Sequence, residues 1–130
     1  MKKQIVKTDK VPLPIGPYNQ AVKANGFVFC AAQIALDIST GQMTGVTVRE
    51  QTRLVLTHIK NLLEASGSSL NQVVKTTVFL KDLSKFSEMN EVYTEFFKGT
   101  EPPARATVEV ARLPKDALVE IEATAVIMQP

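Results

Sequence analysis

The chain has 130 residues, 45% of them hydrophobic, and 15 Lys and Arg against 13 Asp and Glu leave a net charge of +2. That length fits one compact domain, taken as residues 1–130, and the two signs of charge are interspersed, without the basic stripe and stacking aromatics of a nucleic-acid binder. A single cysteine, Cys30, excludes an internal disulfide, and a single histidine, His58, leaves the usual Cys/His zinc patterns out of reach of one chain, so no metal site is expected. The start, Met1-Lys2-Lys3-Gln4-Ile5-Val6-Lys7, reads as a basic leader with no apolar run of signal-peptide or membrane-spanning length behind it, which gives the expectation of a soluble, cytoplasmic protein.

Along the chain, Val22 to Val28 reads as a β-hairpin, because Asn25-Gly26 supplies the two positive φ angles of a tight type I′ turn. The following run, 27–34, is almost unbroken in its apolarity, which predicts a strand buried on both faces, one of them against another subunit. Residues 37–45 are a polar loop rich in turn formers. From 46 to 66, Val48, Val55, Ile59 and Leu62 recur at helical spacing and Gly67 is placed to end the helix. His58, among polar neighbours, is expected to face solvent, and Cys30, in an apolar strand, to be inert core. The β-branched and aromatic run 73–80 predicts a strand; Asp82 or Ser84 would then cap a second helix with Phe86, Met89, Tyr93, Phe96 and Phe97 as its core stripe, ending near Gly99.

The last third carries the chemistry. Pro102-Pro103-Ala104-Arg105-Ala106-Thr107-Val108-Glu109-Val110 and Leu118-Val119-Glu120-Ile121-Glu122-Ala123 both alternate as strands do, with Ala106, Val108 and Val110 on one face of the first and Val119, Ile121, Ala123 and Ala125 on one face of the second. The remaining faces carry Arg105, Thr107 and Glu109, then Glu120, Glu122 and Thr124, so the pattern predicts a guanidinium and carboxylates on one side of a paired sheet. Arg105 behind two prolines is a fork for a carboxylate or phosphate, and a nearby glutamate can orient or deprotonate water. The element order is then ββαβαββ: an α+β domain with two helices on one face of a mixed sheet, whose other face association with copies of itself would cover.

Three stretches carry a resemblance: Ile15-Gly16-Pro17-Tyr18-Asn19-Gln20-Ala21, Val74 through Leu83, and Pro103-Ala104-Arg105 through Asp116 to Glu120-Ile121-Glu122-Ala123. In order and over essentially the whole chain they resemble the RidA (YjgF/YER057c/UK114) family of enamine/imine deaminases. The resemblance implies a chorismate-mutase-like α+β fold and a homotrimer with three sites in the clefts between subunits. It implies hydrolysis of 2-aminoacrylate and 2-aminocrotonate, released by pyridoxal-phosphate enzymes, as their imine tautomers to 2-oxo acids and ammonia, with no cofactor. It also assigns roles: Arg105 grips the substrate carboxylate, Glu120 holds the attacking water, Tyr18 and Asn90 line the cleft, and the backbone around Ala32 and Thr107 supplies hydrogen bonds. Where many members have Ser-Gly before the glutamine, this chain has Ala31-Ala32-Gln33, and where many have cysteine it has Thr107, so a hydroxyl and a thiol are lost and the preferred substrate size is open.

Each of these residues also has a plainer reading. Arg105 can be a surface ion pair with Glu120 or Glu122, Tyr18 an aromatic at the core edge, Asn90 a helix-surface amide and Glu122 a structural residue. The function, too, has a competitor of another class, a trimer whose cleft senses a 2-oxo acid or related carboxylate without turning it over. Translation-inhibiting endoribonuclease and chaperone-like roles, also described for the family, rank behind it.

Overall fold

Asn25 and Gly26 both hold positive φ, 52° and 83°, and so turn β2 (Ala21–Ala24) directly into β3 (Phe27–Gln33), with Ala24 paired to Phe27. This is the tight hairpin the Asn-Gly pair predicts. The computed structural model describes residues 2–128; Met1, Gln129 and Pro130, which the 1–130 domain reading includes, lie outside the described residues. A short strand absent from the sequence reading, β1 (Gln4–Val6), pairs antiparallel with β2. Its three residues are too few to show an alternation, and only its pairing defines it.

The long helix α1 (Val48–Ala65) starts at a reciprocal cap: Thr47 Oγ1 accepts from the Glu50 N–H and Glu50 Oε1 accepts from the Thr47 N–H, both at 3.1 Å. Such a cap contributes about 1 kcal/mol. At the other end Gly67, at φ 82°, lets the Ser68 N–H reach the Leu63 carbonyl (2.8 Å) and closes the last turn. The face carrying Val55, Ile59, Leu62 and Leu63 is fully buried, and truncating Leu62 to Ala there should cost roughly 2–5 kcal/mol. His58 is also buried, contrary to the solvent-facing expectation. Position 58 lies three residues after Val55 and four before Leu62, so helical periodicity carries it under the helix whatever its sequence neighbours are.

The strand β4 (Val73–Leu80) follows, then a single tight turn capped by Asp82, whose Oδ1 accepts from the Ser84 N–H (2.9 Å), then α2 (Phe86–Phe97), β5 (Ala104–Glu109) and β6 (Val119–Val126). The sheet order is β1-β2-β3-β6-β4-β5. β4 and β5 are parallel, whereas β6 runs antiparallel to both β3 and β4, which makes β3 and β4 parallel to each other. The connections through α1 and α2 are therefore two crossovers in the same direction across the sheet, and a common handedness puts both helices on one face. Helix on sheet closes the main core, with Val28, Val78, Ile121 and Ala125 below Leu56, Ile59, Met89 and Val92. A smaller core of Ile34, Leu36, Leu113 and Ala117, with Phe79 packed against it, lies under the loops at one end.

The β3 strand is not buried on both faces within one chain. Val28 and Cys30 lie under the helices, but Phe27 and Phe29 point to the bare side and remain 37% and 49% exposed. Cys30 is core as expected, its thiol pushed up to about 12 by burial.

Candidate functional site

Arg105 opens β5 behind Pro102 and Pro103 and is paired in register with Thr76 of β4. In a parallel ladder paired residues share a face, and Thr76 and Val78 pair in turn with the buried Ala123 and Ile121 of β6, so Arg105 and Thr107 point to the helix side. There α2 surrounds the guanidinium with residues four and three apart. Its Nη1 donates to Asn90 Oδ1 (2.8 Å), and its carbon lies 4.6 Å from the centre of the Tyr93 ring and 5.4 Å from that of Phe86. Among the described residues no Asp or Glu forms an ion pair with Arg105. Half-buried, charged and held by neutral partners, it has fork capacity left for an anion. The cleft before it, about 510 Å³, is lined by Asn90, Tyr93, Phe97, Pro102 and Pro103 among others.

Glu120 lies elsewhere. Its register partner is Phe79 and that of Glu122 is Thr77, which puts both carboxylates on the bare face. The expectation that Arg105 shares a sheet side with Glu120 and Glu122 is thereby corrected, and so is the plainer reading of an ion pair between them. Alternation within each strand was read rightly, but β4 intervenes between β5 and β6, and the register across it sets the two polar faces opposite. Half-buried Glu120 borders a second cleft of about 320 Å³ with Tyr18, Gln20, Ala31, Ala32, Gln33 and Pro114. Burial first, and then the Glu122 carboxylate beside it, raises its pKa above the ordinary glutamate value.

Tyr18 stands at the mouth of that cleft, half exposed, its hydroxyl oxygen accepting from the Ile15 N–H (3.2 Å), which leaves its O–H free to donate. Ala31 and Ala32 sit where the β3–β6 register breaks between Cys30 and Gln33. The Ala31 N–H goes to the Gln20 carbonyl (2.9 Å), while Ala32 has no register partner on β6. The Gln20 carboxamide braces the 8–12 segment, accepting from the Thr8 N–H (2.9 Å) and donating to the Thr8 and Pro12 carbonyls (3.0 Å each). Thr107 lines neither cleft: it pairs with Val78 on the helix side, two residues beyond Arg105, and its Oγ1 is buried without a partner.

The candidates thus separate into two half-sites, Arg105 with Asn90 and Glu120 with Tyr18 and Ala32. The sequence reading missed Phe86 and Tyr93 as neighbours of the guanidinium, because both fit a core stripe. The usable signal was the polar Asn90 lying at helical spacing between them.

The family model described as Endoribonuclease L-PSP matches residues 8–127. A RutC family protein of Pyrococcus abyssi is 54% identical over 125 residues, 96% of this chain and 98% of its own. The mouse protein named 2-iminobutanoate/2-iminopropanoate deaminase is 42% identical over 124 residues, covering 95% of this chain and 91% of its own. Among solved structures, that of E. coli TdcF with bound serine matches with a TM-score of 0.92 at 42% identity, over 96% of this chain and 99% of that one.

Proposed function

The chain belongs to the Endoribonuclease L-PSP family, in which its relatives include RutC family proteins and reactive-intermediate deaminases, and from that premise we propose that it is a 2-iminobutanoate/2-iminopropanoate deaminase acting as a homotrimer. The observation that carries this reading is the Arg105 guanidinium, half-buried, free of acidic partners among the described residues and held by Asn90 between aromatic rings. It is a receptor for a small carboxylate, and serine, which bears one, is bound in the related TdcF.

A trimer is what joins the half-sites. The bare sheet face presents Phe27, Phe29, Val108 and, on β1, Ile5, all exposed, and among the described residues no further element lies over them. With that face against a neighbour, Arg105 and Asn90 of one subunit meet Tyr18, Ala32 and Glu120 of the next. The substrate carboxylate docks on Arg105, and Glu120 takes a proton from a water that attacks the imine carbon. Glu120 returns that proton to the imine nitrogen to give a neutral carbinolamine, whose hydroxyl proton then passes through Glu120 to the amine as the C–N bond breaks, so that ammonia leaves and the 2-oxo acid is the other product. Imines hydrolyse in water unaided, so placement of the carboxylate and of one water suffices and the step calls for no metal or organic cofactor. The substrates are the products that pyridoxal-phosphate dehydratases release, and a cytoplasmic setting would place the enzyme beside them.

Cleavage of RNA, which the family description suggests, finds little support in the site: the single histidine, His58, is buried with its Nε2 on the Leu36 carbonyl (2.8 Å) and lines neither cleft. The deciding assay adds the purified protein to a threonine dehydratase turning over threonine. Faster appearance of free 2-oxobutanoate is expected. An unchanged rate, with 2-oxobutanoate still bound through Arg105, would replace catalysis by sensing.

A further inference from the structure

We propose that Tyr93, braced through its hydroxyl on Thr76, is a positioning residue that sets the plane of the Arg105 guanidinium for the substrate carboxylate; this rests on the carboxylate role of Arg105 proposed above. A bidentate contact is planar, so the fork works only when its plane is fixed before the ligand arrives. The single hydrogen bond from Nη1 to Asn90 leaves rotation about that contact free. A flat surface removes it, and the Tyr93 ring, 4.6 Å from the guanidinium carbon, is the nearer of the two rings.

The ring is itself immobilised on two sides. Phe97, one turn further along α2, lies 4.7 Å from it, and the phenol oxygen is 2.8 Å from Thr76 Oγ1, with both Thr76 and Tyr93 buried. Thr76 is also the residue that pairs with Arg105 across the β4–β5 ladder. The contacts therefore close a loop: the ladder joins the Thr76 and Arg105 backbones, the hydroxyl pair joins Thr76 to Tyr93, and the ring carries the guanidinium. Filling the core asks only for apolar bulk, and neither hydroxyl of the pair is needed for that. What the pair adds is a flat face at a fixed height above β5. Ordering a loose arginine on binding would otherwise subtract from affinity.

The test measures 2-oxobutanoate affinity by calorimetry, with kcat and KM, in Tyr93→Leu, Tyr93→Phe, Thr76→Val and Arg105→Ala. Tyr93→Leu should weaken 2-oxobutanoate binding and raise KM by about tenfold while kcat changes less than about twofold. Tyr93→Phe, which keeps the face, should recover most of that loss, and Thr76→Val, which leaves the buried Tyr93 hydroxyl unpaired, should lower the melting temperature somewhat and raise KM about two- to fivefold in the fraction that remains folded. If Tyr93 only fills the core, Tyr93→Leu will lower stability and active fraction at wild-type KM, and the inference falls. Should Tyr93→Leu not fold, Thr76→Val decides alone, an unchanged KM overturning the proposal. Arg105→Ala separates the two readings. Retained 2-oxobutanoate binding there sinks the carboxylate role itself, whereas lost binding beside wild-type behaviour of Tyr93→Leu and Thr76→Val sinks only the positioning role.

Discussion

Arg105 and Glu120 occupy opposite faces of one sheet, Arg105 beside Thr76 under α2 and Glu120 beside Phe79 on the bare side. No change of rotamer carries a side chain through a sheet, so a reaction that needs both takes them from two chains. Arg105→Ala and Glu120→Gln should each be nearly inactive alone, and Arg105→Lys should lose most activity because a point charge does not reproduce the fork. Glu120→Gln should still bind 2-oxobutanoate, since its shape is kept. Unfolded together and refolded as mixed trimers, the Ala and Gln variants should recover about a quarter of wild-type activity, the fraction of interfaces that pair an intact Arg105 with an intact Glu120. Absence of any recovery in mixed trimers would refute a site that joins Arg105 of one chain to Glu120 of another.

The raised pKa of Glu120 makes a second prediction. As a base it works only when ionised, and burial together with Glu122 delays that ionisation, so the acid limb of the kcat/KM profile should lie above the ordinary glutamate value of about 4.3. Glu122→Gln removes the like charge and should move the limb to lower pH at similar maximal activity. A limb that does not move would mean that another group titrates there, and a limb moved upward would mean that Glu122 helps rather than opposes ionisation.

Local signals in the sequence located most of the fold, because each sits within a few residues: the Asn25-Gly26 turn, the Val48 to Leu62 spacing, the β-branched run of β4. What was not legible depended on register and partner. The alternation of β5 and β6 was plain, but which of their faces coincide is settled by β4 between them, and nothing in either strand records that. His58 shows the reverse case: its polar sequence neighbours suggest solvent, whereas its spacing from Val55 and Leu62 places it on the buried face. The candidate site residues rest on motif resemblance, while the rings of Phe86 and Tyr93 around Arg105 appear only once α2 is laid over β5.

The exposed pair Phe27 and Phe29 makes the third prediction. Phe29 projects from β3 on the bare face next to Val22 and Thr124, its register partners on β2 and β6. In the isolated chain an aspartate there costs little, since the position already meets water. In a trimer it would place a charge inside an apolar interface. Phe29→Asp should therefore sediment as a monomer with native circular dichroism and no deaminase activity. A fully active Phe29→Asp monomer would refute the shared site, and an intact active trimer would move the interface elsewhere.

The fourth concerns His58. Its Nε2 is bonded to the Leu36 carbonyl, which fixes the proton on that nitrogen, and its Nδ1 is buried without a partner. Burial lowers its pKa below the usual 6.5; the Leu36 carbonyl and the Asp37 carboxylate oppose that shift without overcoming it. The unfolded chain then binds the proton more readily than the folded one, so stability is full above about pH 6.5 and falls as pH drops from there through the lower folded value. Urea midpoints measured at one protein concentration, so that association does not intrude, should decline between about pH 7 and about pH 5. His58→Gln keeps a donor for Leu36 and has no proton to gain, and it should flatten that decline even if it lowers stability throughout. Equal slopes in the two proteins would assign the acid sensitivity to carboxylates instead.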